Sequence, residues 1–201
     1  MNTALLHIRR ISLLVAVSAA TAFAQAPGKA APDFAVTDVA GKAVKLSDYR
    51  GKYVVLEWTN PDCPFVRNQY GKRGMQAQQK RWGGEDVVWL TLNSTSRNHP
   101  EYKTPAAMAD WMKAQDGAPG VLAVDGESAV ARAYGVKTTP EMYVIDPAGK
   151  VIYAGAVDDG RSNRHDPRTA NNFVQAALTQ AKAGQPVAQP STSPYGCSLK
   201  Y

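Results

Sequence analysis

Short apolar runs separated by turn residues dominate the pattern of hydrophobic and polar positions along the chain. Runs of 4–8 apolar and β-branched residues are typical of buried strands. Such runs predict strands at 53–56, 87–92, 121–124, 142–146 and 151–154. The longer segments between and after them predict helices at 64–82, 105–115, 127–134 and 169–182. Alternating strands and helices, followed by a hairpin and a closing helix, predict a three-layer α/β fold around a mixed sheet.

The two flanks of this pattern differ from its centre. Phe34 to Leu46 predicts an N-terminal β-hairpin that turns at Gly41-Lys42. Beyond Gly184 the chain is polar and proline-rich, which predicts an extended tail over 185–201 that is mobile as far as the closing YGCSLKY. We expect one domain at 25–184, and its length is sufficient for a sizeable core.

Residues 1–24 have the pattern of a signal peptide. Basic residues precede an apolar run at 11–23, and Ala22-Phe23-Ala24 fits a cleavage site. The mature protein is therefore predicted to be periplasmic or otherwise extracytoplasmic. The apolar run is short for a bilayer span, so we expect no stable membrane anchor, with a retained anchor as the alternative.

Charge and composition exclude several classes of function. The formal net charge is +6 over 201 residues. Its one local concentration comprises Arg67, Lys72, Arg73, Lys80 and Arg81. In an exported protein such a group is interpreted as a solvated helix face, so no nucleic-acid partner is expected. The chain has no cluster of Cys and His with metal-ligand spacing, and we expect neither a metal nor another cofactor.

Cys63 is the candidate nucleophile. It follows the strand ending near Trp58, and Pro64 suits the first position of a helix. The dipole of a helix stabilises a thiolate at its N-terminus, so we expect a reactive thiol at an exposed turn. Glu57 lies inside the apolar strand, where burial raises the pKa of a carboxyl group. It is a candidate proton acceptor, whereas Trp58 is a candidate aromatic flank of the site.

Several segments together resemble known redox proteins. They are YVVLEWTNPDCPFV, with Glu57 six residues before Cys63, DFAVTDVAGKAVKLSDYRGK, TTPEMYVIDPAGKVIYAGAVDD and the closing YGCSLKY. The chain resembles the thioredoxin superfamily, and within it the peroxiredoxin-like redoxin proteins related to alkyl hydroperoxide reductase and thiol-specific antioxidant. The resemblance implies a thioredoxin-like fold. It also implies that Thr139-Pro140 is a cis-proline loop beside Cys63, which offers backbone to a partner's sulfur-bearing strand.

The chain departs from this pattern in its cysteines. Val66 stands where a Cys-x-x-Cys motif has its second cysteine, and also where peroxiredoxins have their peroxidatic cysteine. Cys63 stands where peroxiredoxins have Thr or Ser, and Thr139-Pro140 where they have a supporting Arg. These residues therefore do not favour peroxide activation. The second cysteine is Cys197, 134 positions after Cys63.

Three functions remain open at this point. In a thiol-disulfide oxidoreductase, Cys63 attacks a partner disulfide and Cys197 resolves the adduct. In a thiol peroxidase, Cys63 reduces a small hydroperoxide and then condenses with Cys197. In a non-enzymatic domain, the two cysteines form a fixed disulfide. The expected partners are protein thiols or disulfides, or a hydroperoxide, with a redox partner for recycling. Thr139, Pro140, Trp58 and Pro64 are the candidate substrate contacts, and the polar loop at 158–168 is interpreted as solvated.

Overall fold

The computed structural model describes residues 26–201, so the predicted signal peptide at 1–24 lies outside the described residues. The strands are β1 (Ala35–Thr37), β2 (Ala43–Lys45), β3 (Tyr53–Trp58), β4 (Val87–Asn93), β5 (Val121–Val124), β6 (Thr138–Thr139), β7 (Glu141–Ile145), β8 (Val151–Gly155) and β9 (Cys197–Ser198). The helices are α1 (Pro64–Gly71), α2 (Gly74–Trp82), α3 (Pro105–Ala114), α4 (Ala129–Tyr134) and α5 (Phe173–Lys182), with a 3₁₀ turn at Leu46–Tyr49.

Five strands form the central sheet in the order β5-β4-β3-β7-β8. β3 pairs in parallel with β4, and β4 in parallel with β5, whereas β7 runs antiparallel to both β3 and β8. The sheet is therefore mixed, as the sequence predicts. β1 and β2 form the expected N-terminal hairpin. It turns at Gly41, whose φ of +87° is a conformation that glycine adopts at little cost.

Each face of the sheet carries its own hydrophobic core. On one face, side chains of α1, α2, α3 and α5 pack against alternate strand positions such as Val55 and Val144. On the other face, α4 and the hairpin pack against the intervening positions, such as Leu56 and Tyr143. Burial on both faces explains why the strands have continuous apolar runs rather than an alternating pattern.

The prediction of one helix over 64–82 is wrong. The segment forms two helices that are separated at Lys72 and Arg73, and Arg73 has a φ of +63°. Gly74 then begins α2 in close contact with Pro167, so that a Cβ at this position would overlap the proline ring. This crowding gives glycine a structural role at the start of α2. The last helix begins at Phe173 rather than near 169, with Asn172 as its N-cap.

The tail lies against the domain, whereas the sequence predicts a segment that is mobile as far as YGCSLKY. After α5 the chain runs along the edge of β8, where Thr192 N donates to the carbonyl of Ala154 at 3.1 Å. Tyr195 is then buried in the first core and Leu199 in the second. The tail therefore crosses from one face of the sheet to the other. Its anchoring side chains are few and widely spaced, which is why its composition resembles that of a linker. Within residues 26–201 no helix is long and apolar enough to cross a membrane.

Candidate active site

Cys63 lies at the turn between β3 and α1, where the sequence predicts it. The turn is fixed by Asn60, whose side-chain oxygen accepts from Asp62 N at 2.8 Å and whose carbonyl accepts from Cys63 N at 3.0 Å. Cys63 is the N-cap of α1, and Pro64 occupies the first helical position. Pro64 is exposed, so it remains available to a partner molecule.

The expectation of an exposed Cys63 is wrong, because only 1% of the residue's surface is accessible. Its thiol donates a hydrogen bond to the carbonyl of Thr139 at 3.0 Å, and the Thr139-Pro140 peptide is cis. The loop implied by the resemblance is therefore beside the thiol. Tyr195 and Cys197, both from the tail, pack in the same cluster as Cys63. The site is buried by a segment that lies more than 130 residues away in the chain, which local sequence patterns do not reveal.

The tail reaches this site as a short strand. β9 pairs antiparallel with β6, with Thr139 opposite Cys197 and Thr138 opposite Ser198. Gly196 precedes this pair with a φ of +141°, and a Cβ there would lie well inside van der Waals contact with the Thr139 carbonyl oxygen. A glycine at position 196 thus permits the close approach that places Cys197 beside the cis-proline loop.

Both thiols are unbonded, and Cys197 packs against the hydrophobic cluster that contains Cys63. Burial, then a hydrogen bond to Cys63 and the charge interaction with it, raise the pKa of the Cys197 thiol to about 12. Cys197 is consequently protonated near neutral pH. It is half-buried, whereas Cys63 lies beneath it. The structure therefore brings together two candidate residues that the sequence places at opposite ends of the domain.

Glu57 is completely buried beneath α1 and α2. Its carboxylate accepts from Tyr70 Oη at 2.7 Å, Trp89 Nε1 at 2.8 Å, Thr91 Oγ1 at 2.9 Å and Gln79 Nε2 at 3.1 Å. Burial raises the pKa of Glu57, and the four hydrogen bonds only partly oppose this effect. Within residues 26–201 none of the carboxylate's hydrogen bonds goes to a thiol. The burial agrees with the expectation, whereas proton acceptance stays a prediction.

Trp58 is placed differently from its predicted role. It is fully buried in the second core, where its indole donates to Ser94 Oγ at 3.1 Å and its ring packs against Tyr134 and Tyr143. Alternate residues of a strand point to opposite faces, so Trp58 faces away from the core that contains Cys63. In this structure it offers no surface to a substrate.

A group of residues that the sequence interpretation missed holds Tyr195. The Tyr195 hydroxyl donates to the carboxylate of Asp158, which is itself buried and accepts from Gln69 Nε2 at 2.7 Å. His165 Nε2 lies 3.1 Å from the same carboxylate. The Tyr195 ring packs against Phe65 of α1 at a centroid distance of 5.8 Å. Interpreting 158–168 as a solvated loop is therefore wrong for Asp158 and His165; the aromatic residue two positions before Cys197 was the available signal.

The model of the AhpC/TSA family matches residues 27–154. The chain belongs to the AhpC/TSA family. The matched part of this family member contains Cys63 and the cis-proline loop but ends before α5 and the tail. Cys197 thus lies outside the segment that the family model describes.

One curated relative of this family member is a thiol-disulfide oxidoreductase ResA from Bacillus thuringiensis subsp. konkukian, 30% identical over 132 residues. The alignment covers 62% of this chain and 66% of the relative, slightly less than two thirds of its length. An uncharacterized conserved protein from Geobacillus kaustophilus superposes with a TM-score of 0.77 at 27% identity, over 87% of this chain and 92% of that chain.

The thioredoxin domain of a thiol-disulfide oxidoreductase from Bacteroides vulgatus superposes with a TM-score of 0.52 at 18% identity. This match covers 64% of the present chain and 87% of that chain. The thioredoxin-like fold and the redoxin family that the sequence predicts are confirmed.

Within residues 26–201 no group of three or more His, Cys, Asp or Glu side chains is arranged to hold a metal ion.

Proposed function

We propose that the protein is an exported thiol-disulfide oxidoreductase in which Cys63 is the nucleophile and Cys197 the resolving thiol. The observation that carries this proposal is the position of Cys197 beside Cys63: Cys197 pairs with Thr139, whose carbonyl accepts from the Cys63 thiol. A buried, unbonded thiol at the N-terminus of a helix, with a second unbonded thiol beside it, suits reversible disulfide chemistry. The name of the Bacillus thuringiensis relative supports the same activity.

The reaction takes place in two thiol-disulfide exchanges. The Cys63 thiolate attacks one sulfur of a partner disulfide, forming a mixed disulfide and releasing the partner's other sulfur as a thiolate. Cys197 then loses its proton and attacks Cys63 Sγ, which forms the Cys63–Cys197 bond and releases the second partner thiolate. The partner gains two electrons, and a dithiol protein returns two electrons to the enzyme.

Four other residues have proposed roles in this reaction. Thr139 and Pro140 supply the backbone beside the reacting sulfurs, and the exposed Pro64 contacts the partner. Glu57 is the proton acceptor, since a raised pKa brings a carboxyl group closer to the working pH. Its hydrogen bonds to protein groups imply that the proton is relayed to it rather than transferred by direct contact with a thiol. Export rests on the pattern of residues 1–24 and is tested by fractionating cells that produce the full chain.

The decisive experiment measures disulfide reduction and peroxide consumption on the same protein. We expect wild type to reduce a protein disulfide such as that of insulin and to form the Cys63–Cys197 bond, detected by mass spectrometry. Cys63→Ser should abolish the reaction, whereas Cys197→Ser should accumulate a mixed disulfide at Cys63. Peroxide consumption without disulfide reduction would replace this proposal with a thiol peroxidase. Full activity in Cys63→Ser would refute the mechanism.

A further inference from the structure

The tail occupies the position from which an external sulfur would have to reach Cys63. Only 1% of Cys63 is exposed, and the tail residues Tyr195 and Cys197 pack with it. Cys197 also takes up the β6 edge, because its backbone pairs with that of Thr139. An external disulfide cannot contact Cys63 while this strand is in place.

We propose that the tail strand is an internal competitor of the substrate, and that the pocket holding Tyr195 sets the balance between them. This inference deepens the proposed function, on which its catalytic part rests. The pocket consists of Asp158, Gln69, His165 and Phe65, and we call it the Tyr195 seat. When the tail lifts, the β6 edge and Cys63 become accessible to a sulfur-bearing extended segment of a partner. When the tail returns, Cys197 meets Cys63 again and displaces that segment.

Three observations show that the seat is a specific contact. The Tyr195 hydroxyl donates to Asp158 and lies 3.3 Å from Gln69 Nε2. Asp158 is buried, and a hydrogen bond to a buried carboxylate is stronger than one between neutral groups. The seat joins α1, which begins at Cys63, to the loop after β8. A change at Tyr195 is therefore transmitted to Cys197, two residues later, without altering either thiol.

The strand on the other side of Cys197 is held by separate contacts. Leu199 N donates to the Lys137 carbonyl at 2.9 Å, and Ser96 N donates to the Lys200 carbonyl at 2.7 Å. The ring of Tyr201 lies 4.4 Å from the guanidinium of Arg132. Cys197 thus lies between two segments that are each held in place, Tyr195 on one side and residues 199–201 on the other. Releasing the seat frees the tail from one side, while the other side keeps it close enough to return.

This arrangement makes Tyr195 a positioning residue with a distinctive kinetic effect. Weakening the seat should speed the access of reagents to Cys63 and slow the closure of the Cys63–Cys197 bond. A residue with a merely structural role would not move these two rates in opposite directions. Each rate should change by about tenfold in Tyr195→Phe, as expected for one hydrogen bond to a charged group.

Access is measured in a Cys197→Ser background as the rate at which iodoacetamide alkylates Cys63. Closure is measured with both cysteines present, as the second equivalent of aromatic thiolate released from 5,5′-dithiobis(2-nitrobenzoic acid). Tyr195→Phe is compared with Tyr134→Phe, which removes a buried hydroxyl that donates to the Pro32 carbonyl at 2.8 Å on the other face. Gly196→Ala is a second test variant, since its added Cβ opposes the pairing of β9 with β6.

We expect faster alkylation and slower closure in Tyr195→Phe and Gly196→Ala, and neither change in Tyr134→Phe. Rates that match those of Tyr134→Phe, or that fall together, would overturn the competition between tail and substrate. Alkylation does not depend on disulfide reduction. If wild type reduced no disulfide while the seat variants still accelerated alkylation, the proposed function would fail and the control of access by the tail would stand.

Discussion

Oxidation of the reduced protein offers a quantitative test of how the tail is seated. A bond between Cys63 and Cys197 closes a loop of 134 residues. Such a cross-link lowers the chain entropy of the unfolded state and stabilises the fold by about 5 kcal/mol at most. Little of this stabilisation should be lost to strain in the native state, because the reduced tail already places Cys197 in the same hydrophobic cluster as Cys63. We expect a gain of about 2–5 kcal/mol.

The assay is chemical denaturation of the oxidised protein, the reduced protein and the reduced Cys197→Ser variant. The free energy of unfolding of reduced Cys197→Ser should lie within about 1 kcal/mol of that of reduced wild type, because the substitution changes one half-buried side chain while Tyr195 and Leu199 remain buried. In thermal melts the oxidised form should unfold about 4–20 °C above the reduced form. An oxidised protein no more stable than the reduced one would refute the conclusion that the reduced tail already places Cys197 beside Cys63. Collapse of reduced Cys197→Ser would instead make Cys197 a structural residue.

Three further substitutions test the remaining residues of the site. Glu57→Gln should slow turnover near neutral pH. Because the folded pKa of Glu57 is raised above 4.5, wild-type stability should also fall relative to this variant as pH rises from about 4.5 through that raised value; parallel stability curves in this range would contradict the buried ionisation. Thr139→Val removes a buried hydroxyl that has no hydrogen-bond partner within the described residues, so the free energy of unfolding should change by less than about 1 kcal/mol. Slower disulfide reduction by this variant would show that the hydroxyl contacts the incoming sulfur. Trp58→Phe loses the bond to Ser94 and should cost about 2 kcal/mol of stability with the KM for a protein disulfide unchanged; an altered KM would restore the predicted substrate contact.

The central strands and the Cys63 turn were predictable because their signals are local. An apolar run followed by Asn60-Pro61 and then Cys63-Pro64 specifies strand, turn and helix within about a dozen residues. The burial of Glu57 was predictable for the same reason, since Glu57 is a carboxylate within an apolar strand whose two faces are both covered.

The cover over Cys63 was not predictable, because it depends on pairing between distant segments. The tail has the composition of a linker, and its ordering comes from a few contacts made by Tyr195, Gly196 and Leu199. The break between α1 and α2 was missed for a related reason. The glycine at 74 could be assigned a small cost within one helix, but its contact with Pro167 depends on the tertiary fold.

The path of the tail along β8 also bears on how the protein avoids self-association. β8 is an outer strand of the central sheet, and unpaired backbone groups on such a strand can recruit a strand from another molecule. Here Ala154 N donates to the Pro190 carbonyl at 3.1 Å and a bridge joins Ala154 to Ser191, so the tail occupies part of that edge. Proline at 190 has no amide hydrogen with which to extend the ladder outward. Shortening the chain at its C-terminal end would therefore uncover a sheet edge as well as Cys63, and solubility would suffer together with redox control.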